Sequence, residues 1–197
     1  MPANSSATFE RGSFRDRSGR VFHRHGQVFR ALGHDGLQDW NVVSQKAFVQ
    51  TAIQSGRIVQ TKTVVDVVPP DSEFDCAAVL QHATIPVITW PYEWSFNMLR
   101  SAALLTLELL EHALAEDAIL KDATPFNVQF AGSCPVFIDT SSIVPFAPGQ
   151  IWDGYRQFCQ MFLYPLMLQS WKNVGFQPWL RGSLEGISPQ DFASLLS

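Results

Sequence analysis

A chain of 197 residues has room for one sizeable domain, or for a small lobe joined to a larger one. With 46% hydrophobic and 16% charged residues, it can close an apolar core, which excludes a disordered chain. A formal charge of −4, without a Lys/Arg cluster, gives no electrostatic footprint for nucleic acid.

The start, "MPANSSATFERGSFRDRSGR", lacks the apolar run of a secretory signal, and residues 1–13 are expected to be a flexible lead-in. "RVFHRHGQVFRAL" alternates about His25-Gly26, which predicts a β-hairpin with Gly26 supplying the positive φ of the turn. From Leu37, the spacing of Trp40, Val43, Phe48 and Ile53 predicts one helix stopped by Gly56. "RIVQTKTVVDVV" reads as a strand closed by Pro69-Pro70, followed by a loop rich in Asp and Pro. The first half of "TIPVITWPYEWS" reads as a strand ended by Pro91.

Ser95 to Ala115 is the clearest helix. Its apolar positions cover so wide an arc that it must be buried and central. A loop, a short strand, a turn at Gly132 and a second short strand follow, and the remainder from Gly149 is helical. Tyr155, Phe158, Phe162 and Leu166 recur at helical spacing and read as core. The apolar stretch "FCQMFLYPLMLQSW" is shorter than the roughly 20 residues of a membrane span, and Pro165 interrupts it. Cys76, Cys134 and Cys159 are odd in number, separated and set among apolar residues, as in reduced core thiols of a cytoplasmic protein. His23 and His25 would share a strand face, but two imidazoles fall short of the four ligands of structural zinc. The fold class expected is α+β with two unequal lobes: a β-rich part over 14–91 and a mostly helical part over 92–197.

Chemistry concentrates in "LKDATPFNVQFAGSCPVFID", residues 120–139. Asp122 lies five residues before Asn127, so one loop can offer both from one side, with Pro125 stiffening it. Asp139 follows after a two-stranded turn that returns its strand end beside Asn127. Transfer of a γ-phosphoryl group needs a carboxylate near the attacking hydroxyl and hard oxygen ligands for Mg²⁺. Each residue also suits a plain turn: Asp122 as a loop cap, Asn127 beside Pro125, Asp139 in an Asx-turn with Ser141.

The D-x-x-x-x-N … I-D pattern resembles the catalytic loop and metal-binding Asp of the protein-kinase-like fold, nearer its aminoglycoside and choline kinase branch. By that resemblance the chain has a two-lobed kinase-like fold with a reduced β-rich N-lobe and binds ATP and Mg²⁺. Asp122 is then the catalytic base, while Asn127 and Asp139 are metal ligands. Arg30, or less favourably Lys62, stands at the phosphate-pairing position, and "WPYEWSF" with Tyr92 and Glu93 at an adenine-binding hinge.

Longer phrases, among them "WPYEWSFNMLRSAALLTLELLEHAL", "PVFIDTSSI", "GYRQFCQMFLYPLML" and "FQPWLRGSL", resemble the N-terminal part of a bacterial family of class I S-adenosylmethionine-dependent methyltransferases and nodulation-protein relatives. The resemblance runs from about Phe14 to Gly186 and implies a kinase-like region that precedes a methyltransferase domain. No strand with a G-x-G-type turn and downstream acid is present to hold the methyl donor, so S-adenosylmethionine is not expected on this chain alone.

Two functions compete. One is nucleotide and Mg²⁺ binding with phosphoryl transfer to a small-molecule hydroxyl. The other is a catalytically silent, pseudokinase-type module that partners a methyltransferase. The second is favoured by "LKD" and "DTS" in place of the family triplets, by "HRHG" in place of a Gly-rich loop, and by the absence of a V-A-I-K segment.

Overall fold

The computed structural model describes residues 7–10, 12–13, 18–71 and 74–196. The chain forms two compact units, Met1–Thr84 and Ile85–Ser197. The mixed α and β architecture expected from the sequence is present. The boundary expected near Tyr92–Glu93 lies inside the second unit.

The first unit is built on an antiparallel sheet of order β1-β2-β3-β5-β4. Its strands are β1 (Thr8–Phe9), β2 (Gly19–Arg24), β3 (Gln27–Leu32), β4 (Thr61–Val64) and β5 (Ala78–His82). β2 and β3 form the expected hairpin, with His25 at φ 50° and Gly26 at φ 73°. Two consecutive left-handed residues match the right-handed twist of the strands they join. Phe22 and Phe29 stack across this hairpin at 5.3 Å, and Ala31 and Val79 complete a buried cluster.

Four details depart from the sequence reading. Thr8 and Phe9 pair with His23 and Phe22 as β1, while most of the expected flexible segment 1–13 lies outside the described residues. The single helix expected from Leu37 to Gly56 is two, α1 (His34–Val43) and α2 (Ala47–Gln54), because the chain turns at Ser44–Lys46, where Lys46 N–H donates to Val43 C=O. The strand expected across 57–68 contracts to β4. No strand occupies residues 84–89; β5 lies just before them, in a stretch taken for loop. Pro86 removes a ladder donor from the β-branched run, whereas "AVLQH" buries Val79, Leu80 and His82.

In the second unit, a 3₁₀ turn at Pro91–Glu93 leads to α3 (Phe96–Ala115). Ser95 caps it, its Oγ accepting from Met98 N–H at 3.3 Å. Leu99, Ala102, Leu105, Leu109 and Ala113 are buried along it, so the central helix read from the sequence is present. Two small two-stranded sheets follow: β6 (Ala118–Leu120) with β9 (Ile143–Pro145), and β7 (Val128–Ala131) with β8 (Cys134–Phe137). The rest is helical: α4 (Gly154–Phe158), α5 (Tyr164–Lys172), α6 (Gln177–Gly182) and α7 (Pro189–Leu196). Between α4 and α5 lies one π turn, Cys159–Leu163, in which Tyr164 N–H reaches back to Cys159 C=O. Pro165 cannot donate, and widening the turn ahead of it lets the helix continue past the missing bond. Phe158 and Phe162 are buried as read, but Tyr155 is 64% exposed and is not core. Cys159 is buried, Cys76 half-buried and Cys134 exposed on the β7–β8 hairpin, so Cys134 is not a core thiol.

Candidate functional site

The loop that carries Asp122 and Asn127 is held at both ends. At its start, the β6–β9 ladder pairs Leu120 with Ile143, and Lys121 N–H donates to Ser142 C=O at 2.8 Å. At its end, the β7–β8 ladder pairs Val128 with Phe137, and Ile138 N–H donates to Asn127 C=O at 2.8 Å. Residues 121–127 are thereby pinned opposite the turn 138–142, which carries Asp139. A five-residue spacing and a two-stranded return, read from the sequence, become one backbone clamp closed from two sides.

Inside the clamp, local bonds shape the loop. Asn127 N–H donates to Thr124 C=O at 3.1 Å and Phe126 N–H to Thr124 Oγ1 at 3.3 Å, in a 3₁₀ turn opened by Pro125. Asp122 and Asp139 are half-buried, and Asn127 is buried. The Asp139 carboxylate accepts from Ser141 Oγ at 2.7 Å, the Asx-type contact that the turn chemistry anticipates.

The Asn127 side chain behaves differently. Its Nδ2 is buried and has no hydrogen-bond partner among the described residues, and the same holds for Thr140 Oγ1 and Ser142 Oγ in the facing turn. Buried polar atoms are nearly always paired, because an unpaired one costs about 1–3 kcal/mol. Three such atoms lie in the facing segments 121–127 and 138–142. Exchanging the two ends of the amide leaves its shape unchanged and puts an oxygen donor where Nδ2 stands. With that exchange Asp122, Asn127 and Asp139 would offer hard oxygens, two carboxylates and one amide, the donor type that Mg²⁺ prefers. Among the described residues no three His, Cys, Asp or Glu side chains gather as a metal site, so a cation here depends on the amide of Asn127.

Tyr92 and Glu93 lie in the second unit, within the 3₁₀ turn before α3. Glu93 is committed to that turn: its Oε2 accepts from Trp90 N–H at 2.8 Å. Tyr92 stacks parallel to Trp90 at 6.3 Å, and Trp90 in turn meets Phe126 edge-on at 6.3 Å, so an aromatic row runs from this turn to the residue before Asn127.

Arg30 and Lys62 belong to the first unit. Arg30 is 6% exposed on β3, and Lys62 is exposed on the edge strand β4. On the face of Arg30, His82 lies diagonally across the β3–β5 ladder, and burial with the nearby Arg30 charge pushes its imidazole down to about 3. Thr61 Oγ1 donates its proton to Val59 C=O, so the 2.9 Å contact between Thr61 Oγ1 and His82 Nδ1 assigns the ring proton to Nδ1. His23 and His25 do not share a strand face, since β2 ends at Arg24 and His25 sits in the turn; His23 instead lies 3.5 Å from Glu10.

Sequence reasoning missed the residues that fasten a second segment to this loop. Trp152 Nε1–H donates to Leu120 C=O at 2.8 Å, and Gln157 Oε1 accepts from Ala123 N–H at 3.0 Å. These two contacts bracket Asp122. A Trp and a Gln without periodic partners gave no signal in one dimension. The hydroxyls of Thr140 and Ser142 had one, a Thr-Ser-Ser run between the apolar stretches "PVFI" and "IVPF".

No protein-family model matches the chain. Over 186 residues it is 41% identical to "Nodulation protein NoeA" of Rhizobium meliloti (strain 1021), a match that takes in 94% of this chain. The chain spans 39% of the length of that protein. A likeness to a nodulation-protein relative therefore holds over nearly all the residues described above, including the whole clamp. Among the described residues, no helix is long and apolar enough to cross a membrane.

Proposed function

We propose that the chain is a kinase-like domain that binds a nucleoside triphosphate with Mg²⁺ and transfers the γ-phosphoryl group to a small-molecule hydroxyl. The observation that carries this reading is the clamp: two ladders press the Asp122–Asn127 loop against the Asp139 turn, and the buried Asn127 Nδ2 has no hydrogen-bond partner among the described residues. In this reading Asn127 and Asp139 hold the metal, and Asp122 faces the acceptor. Mg²⁺, when bound, neutralises charge on the phosphates. The acceptor oxygen bonds to the γ-phosphorus while the bond from that phosphorus to the bridging oxygen breaks. The nucleoside diphosphate leaves with the electron pair, and the hydroxyl proton passes to the Asp122 carboxylate. The kinase-like resemblance puts Arg30 at the phosphate-pairing position, although its planar fork does not do the work of an ammonium. Tyr92 and Glu93 are the candidate adenine contacts, offered through backbone and ring, since the Glu93 carboxylate already serves Trp90.

One contact favours a second reading, a catalytically silent module that partners a methyltransferase: the Asp139 carboxylate is engaged by Ser141 at 2.7 Å. A thermal-shift titration with ATP and Mg²⁺ separates the two. Phosphotransfer requires a rise in Tm with ATP plus Mg²⁺ that is lost in Asp139→Ala, whereas no shift in the wild type leaves the silent module standing.

A further inference from the structure

Immediately beside the clamp is an open recess of about 430 Å³ walled by Ile151, Trp152, Asp153, Tyr155 and Arg156. Its volume is in the range of small-molecule sites. Three contacts tie this wall to the strand and loop that carry Asp122. Trp152 bonds to Leu120 C=O, Gln157 to Ala123 N–H, and Gly154 packs so closely that a Cβ there would lie 3.1 Å from Ala123 Cβ and 2.6 Å from Trp152 Nε1. The indole N–H is consumed by this attachment, so Trp152 offers the recess only its apolar body. Tyr155 stands at 62° to it with centroids 6.3 Å apart, which makes an aromatic corner, and Ile151 (81% exposed) extends the apolar floor.

The polar rim narrows the chemistry. Asp153 is an acceptor, Arg156 is a donor, and both are exposed. Arg156 Nε donates to Gln160 Oε1 at 3.0 Å, which fixes the guanidinium beside the corner. A ligand that satisfies a carboxylate and a guanidinium together, without net charge left over, carries groups that both donate and accept. Hydroxyls do this. A ligand that also covers an aromatic corner presents one apolar face.

We propose that this recess binds the hydroxyl-bearing acceptor, and that the acceptor is a neutral polyhydroxylated ring of the pyranoside or cyclitol class. The inference rests on the phosphotransfer reading for its purpose but not for its test, which needs no nucleotide. Saturation-transfer NMR with methyl β-glucopyranoside and myo-inositol, each added to the full chain without ATP or Mg²⁺, is expected to show transfer to ring protons. Tyr155→Ala, a change at an exposed side chain, is expected to weaken it at least tenfold, and Arg156→Met to weaken it as well. Loss in Tyr155→Ala with an unaltered circular dichroism spectrum supports the site. No transfer from either probe, equal transfer in Tyr155→Ala, or transfer from choline alone overturns it. Self-association of the chain that Tyr155→Ala abolishes, without probe binding, also overturns it by making the recess a protein contact. Failure of ATP to bind in the separate thermal-shift experiment would remove the phosphotransfer reading and leave the NMR result intact.

Discussion

Asn127 shows why the candidate site was partly legible from residue types alone. An amide five residues after an Asp is a common accident, and each of Asp122, Asn127 and Asp139 has a turn role to fall back on. Burial separates these cases: Asp139 does make its turn contact with Ser141, while the amide of Asn127 is buried with one end unpaired. Replacing that amide by an apolar side chain of similar size is therefore expected to stabilise the free protein. Asn127→Leu should raise stability by about 1 kcal/mol in urea denaturation and abolish the Tm rise with ATP and Mg²⁺. A destabilised variant would mean that the amide has a structural partner. His82 supports a second prediction. Its imidazole is held at about 3 in the folded state, below its ordinary 6.5, so the unfolded chain binds a proton that the native chain does not. Stability is then highest above pH 6.5 and falls as pH drops toward 3. Between pH 7 and 5 the loss from this group is about 2 kcal/mol, and His82→Gln should remove most of it in denaturation curves at the two pH values. Nothing in the sequence marked His82, because burial beside Arg30 comes only from the β3–β5 register.

At the scale of elements, the helix α3 and the hairpins β2–β3 and β7–β8 were readable because each combines strong periodicity with a local stop or turn signal. Ser95 supplies the start of α3, and Ser95→Ala should cost about 1 kcal/mol in thermal or chemical denaturation. The strands β6 and β9 were harder to read. Each has three residues, and they find one another across the intervening hairpin, so no local pattern announces the pair. β5 was missed for another reason: the Asp- and Pro-rich composition before it was extended too far, and the β-branched residues after Pro86 were more conspicuous than "AVLQH". The attachment of the 151–157 segment to the Asp122 loop depends on a close approach at Gly154. Gly154→Ala inserts a methyl group against Trp152 and Ala123 and should cost about 1–3 kcal/mol in denaturation. An unchanged stability would show that the segment yields without cost.

At the scale of the whole chain, composition set the class and offered no Lys/Arg cluster, but division into units depends on how the chain packs around the segment after β5. That packing is not visible along a sequence in which the aromatic-rich "WPYEWSF" looks like a natural seam. The relative at 41% identity is longer than this chain, which matches 39% of it, and whatever the remainder does stays outside these residues. Calorimetric titration of S-adenosylmethionine into the chain is expected to give no heat of binding; tight binding would place a methyl-donor site within it.

The proposed activity requires that the clamped segments gather a divalent cation and a triphosphate. Isothermal titration of ATP in the presence of Mg²⁺, run on the wild type and on Asp139→Ala, tests this most directly. Saturable binding in the wild type, dependent on Mg²⁺ and weakened at least tenfold by the substitution, is the result predicted; no binding in the wild type, or the same affinity in both, would contradict it.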